Sequence, residues 1–456
     1  MKSRERFASR LGFILISAAC SIGLGDVWRF PYITGQYGGG LFVLIYLICI
    51  FAIGLPIMTM ELAVGRASQR SIATSFHVME KKGQKWHLTG YMGIAGNYLL
   101  MMFYTTVAGW MLAYFYKFMI GQFSGLNTEQ VGGVFGSLIA NPLEMFIWMA
   151  ITTVFCFGVC SLGLQEGVEK VTKVMMVLLL AIIIVLAVKS MTLPNASEGL
   201  KFYLLPDLSR VQEKGIWATI FAALSQAFFT LSLGIGSMAI FGSYIDKDRN
   251  LFHESINIAS LDTFVSLVAG LIIFPACFAF SVDPGEGPGL IFVTLPNIFN
   301  SMAGGRIWGT LFFIFMTFAA YSTVIAVFEN IIAFGMDLWG WSRKKASIIN
   351  AFLIIVLSIP CILGFNVLSW FQPLGKGTMI LDLEDFILSY NLLPLGSLIY
   401  LLFCVTRYGW GFDNYLKEVN TGKGVKLPRA LKGYFQWVLP VIIIIVLIQG
   451  YINFFS

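Results

Sequence analysis

Apolar runs of about twenty residues, each long enough to cross a hydrocarbon core, recur from residue 11 to residue 453 with short polar intervals between them. The pattern predicts eleven membrane-spanning helices, near residues 11–34, 40–69, 88–120, 143–161, 166–189, 216–245, 253–281, 306–338, 346–366, 380–405 and 435–453. The expected fold is an all-α polytopic membrane protein forming one domain over residues 1–456. A soluble globular fold is excluded, since only 12% of residues are charged where soluble domains carry roughly 25%.

Two segments break the apolar pattern. The first span carries Gly23-Leu24-Gly25 beside Ser21, Asp26 and Arg29, and the sixth carries Gly234-Ile235-Gly236 beside Gln226, Thr230 and Ser232. Glycine-interrupted segments at corresponding places in two halves predict an inverted repeat: residues 1–189 (spans one to five) mirrored by 216–405 (spans six to ten), with 435–453 as an extra span. In hydrocarbon, unwound backbone is tolerated only where it lines a cavity or holds a ligand. A half-helix that begins at a break offers N–H groups and a positive dipole end to a carboxylate, and one that ends there offers carbonyls to cations. A zwitterionic amino acid accompanied by sodium ions satisfies both. Close helix packing would explain the glycines but not Asp26 and Arg29, since an intramembrane charge costs at least about 2.5 kcal/mol unless paired or hydrated. A phosphate-binding loop is not supported, because neither cluster has the third glycine, lysine or βαβ context such loops need.

The net charge is +6, yet the basic residues lie in alternate loops and not in one patch, so no nucleic-acid partner is expected. Arg66, Arg70, Lys81, Lys82 and Lys85 follow the second span, Lys247 and Arg249 the sixth, and Arg343, Lys344 and Lys345 the eighth. By the positive-inside rule the amino terminus is expected in the cytoplasm and the 451–456 tail outside, in the plasma membrane. The first apolar segment has no cleavage signature and is expected to be retained. Residues 281–305, rich in Gly and Pro, predict an external loop with a short helix near 295–303. All seven cysteines fall in apolar segments and read as buried small hydrophobes. Glu61, Asp262 and Asp385 are further intramembrane charges that each need a partner, whereas Ser322 and Thr323 could simply bond back to their own helix.

The run Gly23-Leu24-Gly25-Asp26-Val27-Trp28-Arg29-Phe30-Pro31-Tyr32 resembles the first-span motif of the neurotransmitter:sodium symporters, and Gly38-Gly39-Gly40, Gly54-Leu55-Pro56, Glu61, Gly65-Arg66, Tyr104 and Phe229-Thr230-Leu231-Ser232-Leu233-Gly234 extend the resemblance over nearly the whole chain. The chain is most similar to the family's bacterial amino-acid transporters. That resemblance implies a substrate site at Ser21, Leu24, Gly25, Tyr104, Phe229, Thr230 and Ser232, with Leu100, Ile235, Val324 and Val327 completing an apolar side-chain pocket. It implies two sodium sites: one of Ser21, Asp26, Thr230, Asp262 and the substrate carboxylate, and a second of Ala19, Ile22, Ala319, Ser322 and Thr323. Arg29 with Asp385 resembles an outer gate, and Arg4 with Asp337, near Phe7 and Tyr244, an inner latch. No catalytic residue and no organic cofactor are implied; a monomer suffices in this reading, and the oligomeric state is left open.

Departures from the family pattern carry information. Amine-carrying members have an aspartate where this chain has Gly23, so the expected substrate bears its own carboxylate. Positions commonly asparagine at the first sodium site are Asp26 and Asp262, from which chloride-independent transport is expected, although Ser266 aligns near the chloride position. Val177 stands where relatives often place a proline, and valine favours a regular helix. The uncharged pocket points to large aliphatic or aromatic neutral L-amino acids, such as tryptophan, leucine, tyrosine or phenylalanine, carried inward by alternating access. A sodium-binding receptor, an ion channel and a membrane enzyme are the rival classes. The channel lacks a continuous polar stripe, and the enzyme lacks a nucleophile with its base.

Overall fold

A computed structural model describes residues 5–212, 214–282 and 289–455. Among them every regular element is helical. Among the described residues nine helices are long and apolar enough to cross a membrane: Gly40–Ser68, Leu88–Met119, Pro142–Ser161, Leu164–Met191, Leu251–Ala279, Gly305–Trp339, Arg343–Gly364, Ile380–Val405 and Arg429–Ile452. A tenth span is formed by Arg10–Ser21 and Gly25–Gln36, bent by 56° where they meet. The sixth predicted segment is Ile216–Thr230, shorter than a span, followed after an irregular stretch by Ser237–Gly242. The eleven predicted segments thus all contain helix, while by length and continuity the count reaches ten. The short helix in the predicted loop is Leu295–Ser301.

Proline shapes the spans locally. It lacks an N–H and its ring crowds the carbonyl four residues back, so the preceding turn widens. Before Pro31, Pro56, Pro296 and Pro440 the residue ahead of the proline donates its amide five residues back, Phe30 to Gly25, Leu55 to Ile50, Leu295 to Leu290 and Leu439 to Tyr434. Pro275 and Pro360 sit inside their helices without such a turn. The widened turn at Gly25–Arg29 lies directly against the first break.

The third and eighth spans form the central wall, 32 and 35 residues long, and their buried faces enclose the two broken spans. Small residues permit that closeness. A Cβ on Gly65 would lie 1.9 Å from the Ala239 carbonyl oxygen, and one on Gly242 would lie 2.3 Å from that of Leu62, so the second span and Ser237–Gly242 touch backbone to backbone. The fifth span is wound wide over Leu164–Glu169 and regular from Lys170 to Met191, and Val177 lies in the regular part with its side chain exposed on the outside of the bundle.

Candidate functional site

The first break is held open by side chains. The Gly23 amide donates to Asp26 Oδ2 at 3.0 Å, and the Leu24 amide donates to the Tyr104 hydroxyl, from the third span, at 3.0 Å. Gln226 Nε2 donates to the Gly25 carbonyl at 2.8 Å and to Thr230 Oγ1 at 3.0 Å. Asp26 Oδ1 also accepts from Thr230 Oγ1 at 3.2 Å and Ser266 Oγ at 2.6 Å. Residues of the first, sixth and seventh spans therefore meet on one buried carboxylate.

The second break is braced from three sides. Ser232, Gly234 and Gly236 have φ of 50°, 96° and 74°, a backbone that Gly adopts freely and other residues seldom do. Glu61 Oε1 accepts the Gly234 amide at 2.5 Å and Oε2 accepts Met238 at 3.1 Å, so this second-span carboxylate caps the half-helix that starts at Ser237. Asn97 Nδ2 donates to the Ile235 carbonyl at 2.8 Å, and Asn330 Nδ2 donates to Asn97 Oδ1 at 3.0 Å and to the Gly236 carbonyl at 3.3 Å. Asn97 and Asn330 were not anticipated from sequence, although an amide in an apolar run is a signal that could have found them.

Between the breaks lies a cavity of about 20 Å3, room for roughly one water, lined by Ser21, Gly23, Gly25, Leu100, Tyr104, Phe229, Thr230, Ser232, Ile235, Thr323, Leu388 and Leu393. Val324 and Val327 are fully buried and do not line it, whereas Leu388 and Leu393 of the tenth span do. Above it is a second cavity of about 400 Å3 lined by Leu24, Trp28, Arg29, Tyr32, Phe103, Tyr104, Val107, Phe229, Leu381, Asp382 and Asp385. Tyr104 and Phe229 border both cavities and form the partition between them. Arg29 Cζ lies 4.2 Å from the Phe229 ring centroid, while Asp385 Oδ1 accepts from Ser389 Oγ at 2.6 Å. The two predicted gate charges thus face one cavity, each with a different neighbour.

Two places fit a hard monovalent cation. Ser322 Oγ lies 3.4 Å from the Ile22 carbonyl oxygen and 2.9 Å from that of Ala319, and Thr323 Oγ1 lies 3.3 Å from Ala19 O, 3.3 Å from Ile22 O and 3.4 Å from Ala319 O. Five oxygens from the first and eighth spans thus converge with no nitrogen or sulfur among them, a donor set for an alkali cation at an unwound helix end. At the second place both carboxylate oxygens of fully buried Asp262, together with Ser21 Oγ, have no hydrogen-bond partner among the described residues. A buried carboxylate without donors is strongly disfavoured, which makes Asp262 a candidate cation ligand.

At the opposite end of the bundle, Phe7 packs edge-on to Tyr244 with ring centroids 5.9 Å apart. Asp337 accepts from Ser71 at 2.8 Å (amide) and 2.7 Å (hydroxyl) and faces Arg70 Nη1 at 3.4 Å. Arg4, the predicted partner of Asp337, lies outside the described residues. The Tyr244 hydroxyl donates to Glu329 Oε1 at 2.7 Å, Arg343 pairs with Glu329 at 2.6 Å, and Glu5 joins Arg343 at 3.1 Å. Glu329 is completely buried in the eighth span. The stretch before the first span is pinned further: Ala8 and Ser9 bond Glu169 at 2.8 and 3.0 Å, and Arg10 pairs with Glu254 at 3.0 Å.

Residues 4–128 and 136–456 match the Sodium:neurotransmitter symporter family. The chain is 35% identical over 455 residues to an uncharacterized sodium-dependent transporter of Bacillus subtilis, covering 97% of each chain. It is 27% identical over 414 residues to the sodium- and chloride-dependent taurine transporter of Rattus norvegicus, covering 80% of this chain and 66% of that one. Among solved structures, MhsT in complex with L-phenylalanine superposes with a TM-score of 0.88 at 39% identity, over 98% of this chain and all of that one.

Proposed function

The chain belongs to the sodium:neurotransmitter symporter family, and on that premise we propose that it imports neutral hydrophobic L-amino acids, large aliphatic or aromatic, with two sodium ions. The observation that carries this reading is the meeting of both broken spans on one buried cavity, lined by Ser21, Gly23 and Gly25 of the first, Phe229, Thr230, Ser232 and Ile235 of the sixth, and Tyr104, whose hydroxyl accepts the Leu24 amide at the first break. The substrate carboxylate takes the Leu24 and Gly25 amides and the Tyr104 hydroxyl. Its ammonium takes carbonyls near Ser21, Phe229, Thr230 and Ser232. Leu100, Ile235, Leu388 and Leu393 bring no charge to the cavity, which favours an apolar group, and they must move apart to admit one where there is now room for about one water. The L-phenylalanine held by MhsT at 39% identity supports that class.

The sodium ions fall to residues already placed. Ser21, Asp26, Thr230 and Asp262 with the substrate carboxylate take the first, and Ala19, Ile22, Ala319, Ser322 and Thr323 the second. Two carboxylates, Asp26 and Asp262, balance two monovalent cations, so the cycle needs no chloride in this reading. The halves 1–189 and 216–405 act as the two repeats that rock about the site. The large cavity above Tyr104 and Phe229 is the outer approach, and the Glu5, Tyr244, Glu329, Arg343 and Asp337 cluster closes the cytoplasmic side of the plasma membrane, on which the amino terminus lies.

Equilibrium binding of labelled L-phenylalanine to the purified protein tests the reading. Sodium should support saturable binding that tryptophan, leucine and tyrosine compete away, and potassium should not. Binding that is equal in potassium, or competed by lysine or glutamate as well as by leucine, would overturn it.

A further inference from the structure

Away from both cation sites, the turn between the second and third spans gathers His77, Glu80 and His87. The helix Ile72–Met79 carries His77, and His87 caps the start of Leu88–Met119. His77 Nδ1 lies 3.3 Å and His87 Nδ1 2.7 Å from the same Glu80 oxygen, Oε1, and the donor atoms all fall within 4.8 Å of one another. A tetrahedral metal with bonds of about 2.0–2.1 Å sets its ligand atoms about 3.3 Å apart, so the three donors need only small adjustments to enclose one ion. The other Glu80 oxygen accepts the His87 amide at 3.0 Å, which fixes the carboxylate as an outer-shell partner does in metal sites.

We infer that His77, Glu80 and His87 form a binding site for a divalent first-row transition ion of the zinc class, with a fourth position open to water. Two imidazoles and one carboxylate with an open position form a donor set that zinc accepts, and imidazole favours zinc-like ions over magnesium or calcium. All seven cysteines of the chain are buried, so no exposed thiol competes. Lys81, Lys82 and Lys85 in the same turn oppose a cation, which points to moderate affinity. The site occupies a mechanically connected place. Ile72 of the same helix presses on Gly236 at the second break and on Gly93, Phe76 packs on Tyr400 and Phe403 of the tenth span with centroids 5.0 and 4.8 Å apart, and Ser71 holds Asp337 of the eighth. A bound ion fastens the far end of that helix to the third span.

Isothermal titration of the purified full-length protein with zinc chloride in sodium-containing buffer tests this. The expected result is one ion per chain with a dissociation constant below about 100 µM, weakened at least tenfold in His77→Gln and in His87→Gln, each variant keeping the melting temperature of the parent without zinc. His77 is 71% exposed, so its replacement leaves the packing intact. Absence of saturable binding, or binding that both variants retain, overturns the inference.

Discussion

The Glu61 carboxylate of the second span accepts the Gly234 amide at 2.5 Å inside the break of the sixth segment, and its other oxygen accepts Met238 at 3.1 Å. A charge buried in an apolar run thereby finds its partners in backbone that no helix satisfies, which joins the cost of the carboxylate to the cost of the unwinding. Glu61→Gln replaces one acceptor oxygen with a donor facing an N–H. The expected outcome is a loss of about 1.5–3 kcal/mol of stability, read as a lower melting temperature in detergent, together with loss of substrate binding. An unchanged melt with unchanged binding would show that the cap is dispensable.

Gly23 has no room for a side chain. A Cβ there would lie 2.6 Å from both Thr323 Oγ1 and the Tyr104 hydroxyl, two groups proposed to serve sodium and the substrate carboxylate. Gly23→Ala should therefore lower the melting temperature by the cost of overpacking, about 1–3 kcal/mol, and bind L-phenylalanine at least tenfold more weakly under conditions where it stays folded. Retention of full affinity would remove the assigned carboxylate contacts.

At the site joining the first and eighth spans, Thr323→Val keeps volume and branching and deletes one oxygen. Half-maximal activation of substrate binding should move to about tenfold higher sodium, the equivalent of about 1.4 kcal/mol. A sodium titration curve that overlays the parent's would assign the second ion elsewhere.

Charge balance is open to a separate check. With Asp26 and Asp262 both present, replacing chloride by gluconate should leave sodium-driven uptake unchanged, and Asp262→Asn should make uptake depend on chloride. Chloride dependence in the unmodified protein would contradict the balance.

Arg343 at the other end compensates Glu329, which is fully buried. Removing one member of such a pair leaves an unpaired buried charge at a cost of about 3–5 kcal/mol. Thermal denaturation should show that loss in Arg343→Ala, with much of it recovered when Glu329→Gln is added. No recovery in the double variant would mean that Arg343 acts through Glu5 or through packing.

The spans were legible because a hydrocarbon core demands long apolar runs, and the breaks because glycine and charge there are expensive without a purpose. Asp26 and Thr230 stood out in the sequence because each sits at or near a break, whereas Ser322 and Thr323 were singled out by the resemblance to the family, since a hydroxyl in an apolar run can simply bond back to its own helix. What sequence did not convey are the pairings between distant segments. Asn97 and Asn330 meet across 233 positions, and Glu329 is one charge within a 35-residue helix whose partner follows it in the next span. The wall formed by Leu388 and Leu393 was missed for a related reason: the widened turn before Pro394 rotates which residues of the tenth span face inward. The length of the sixth segment was overestimated because apolar composition continues through its irregular stretch.

Uptake of labelled L-phenylalanine into proteoliposomes under an imposed inward sodium gradient tests the central claim most directly. Accumulation above the external concentration that collapses when potassium replaces sodium, and that vanishes in Gly23→Ala, is the result predicted. Sodium-dependent binding without accumulation would contradict symport and leave a receptor.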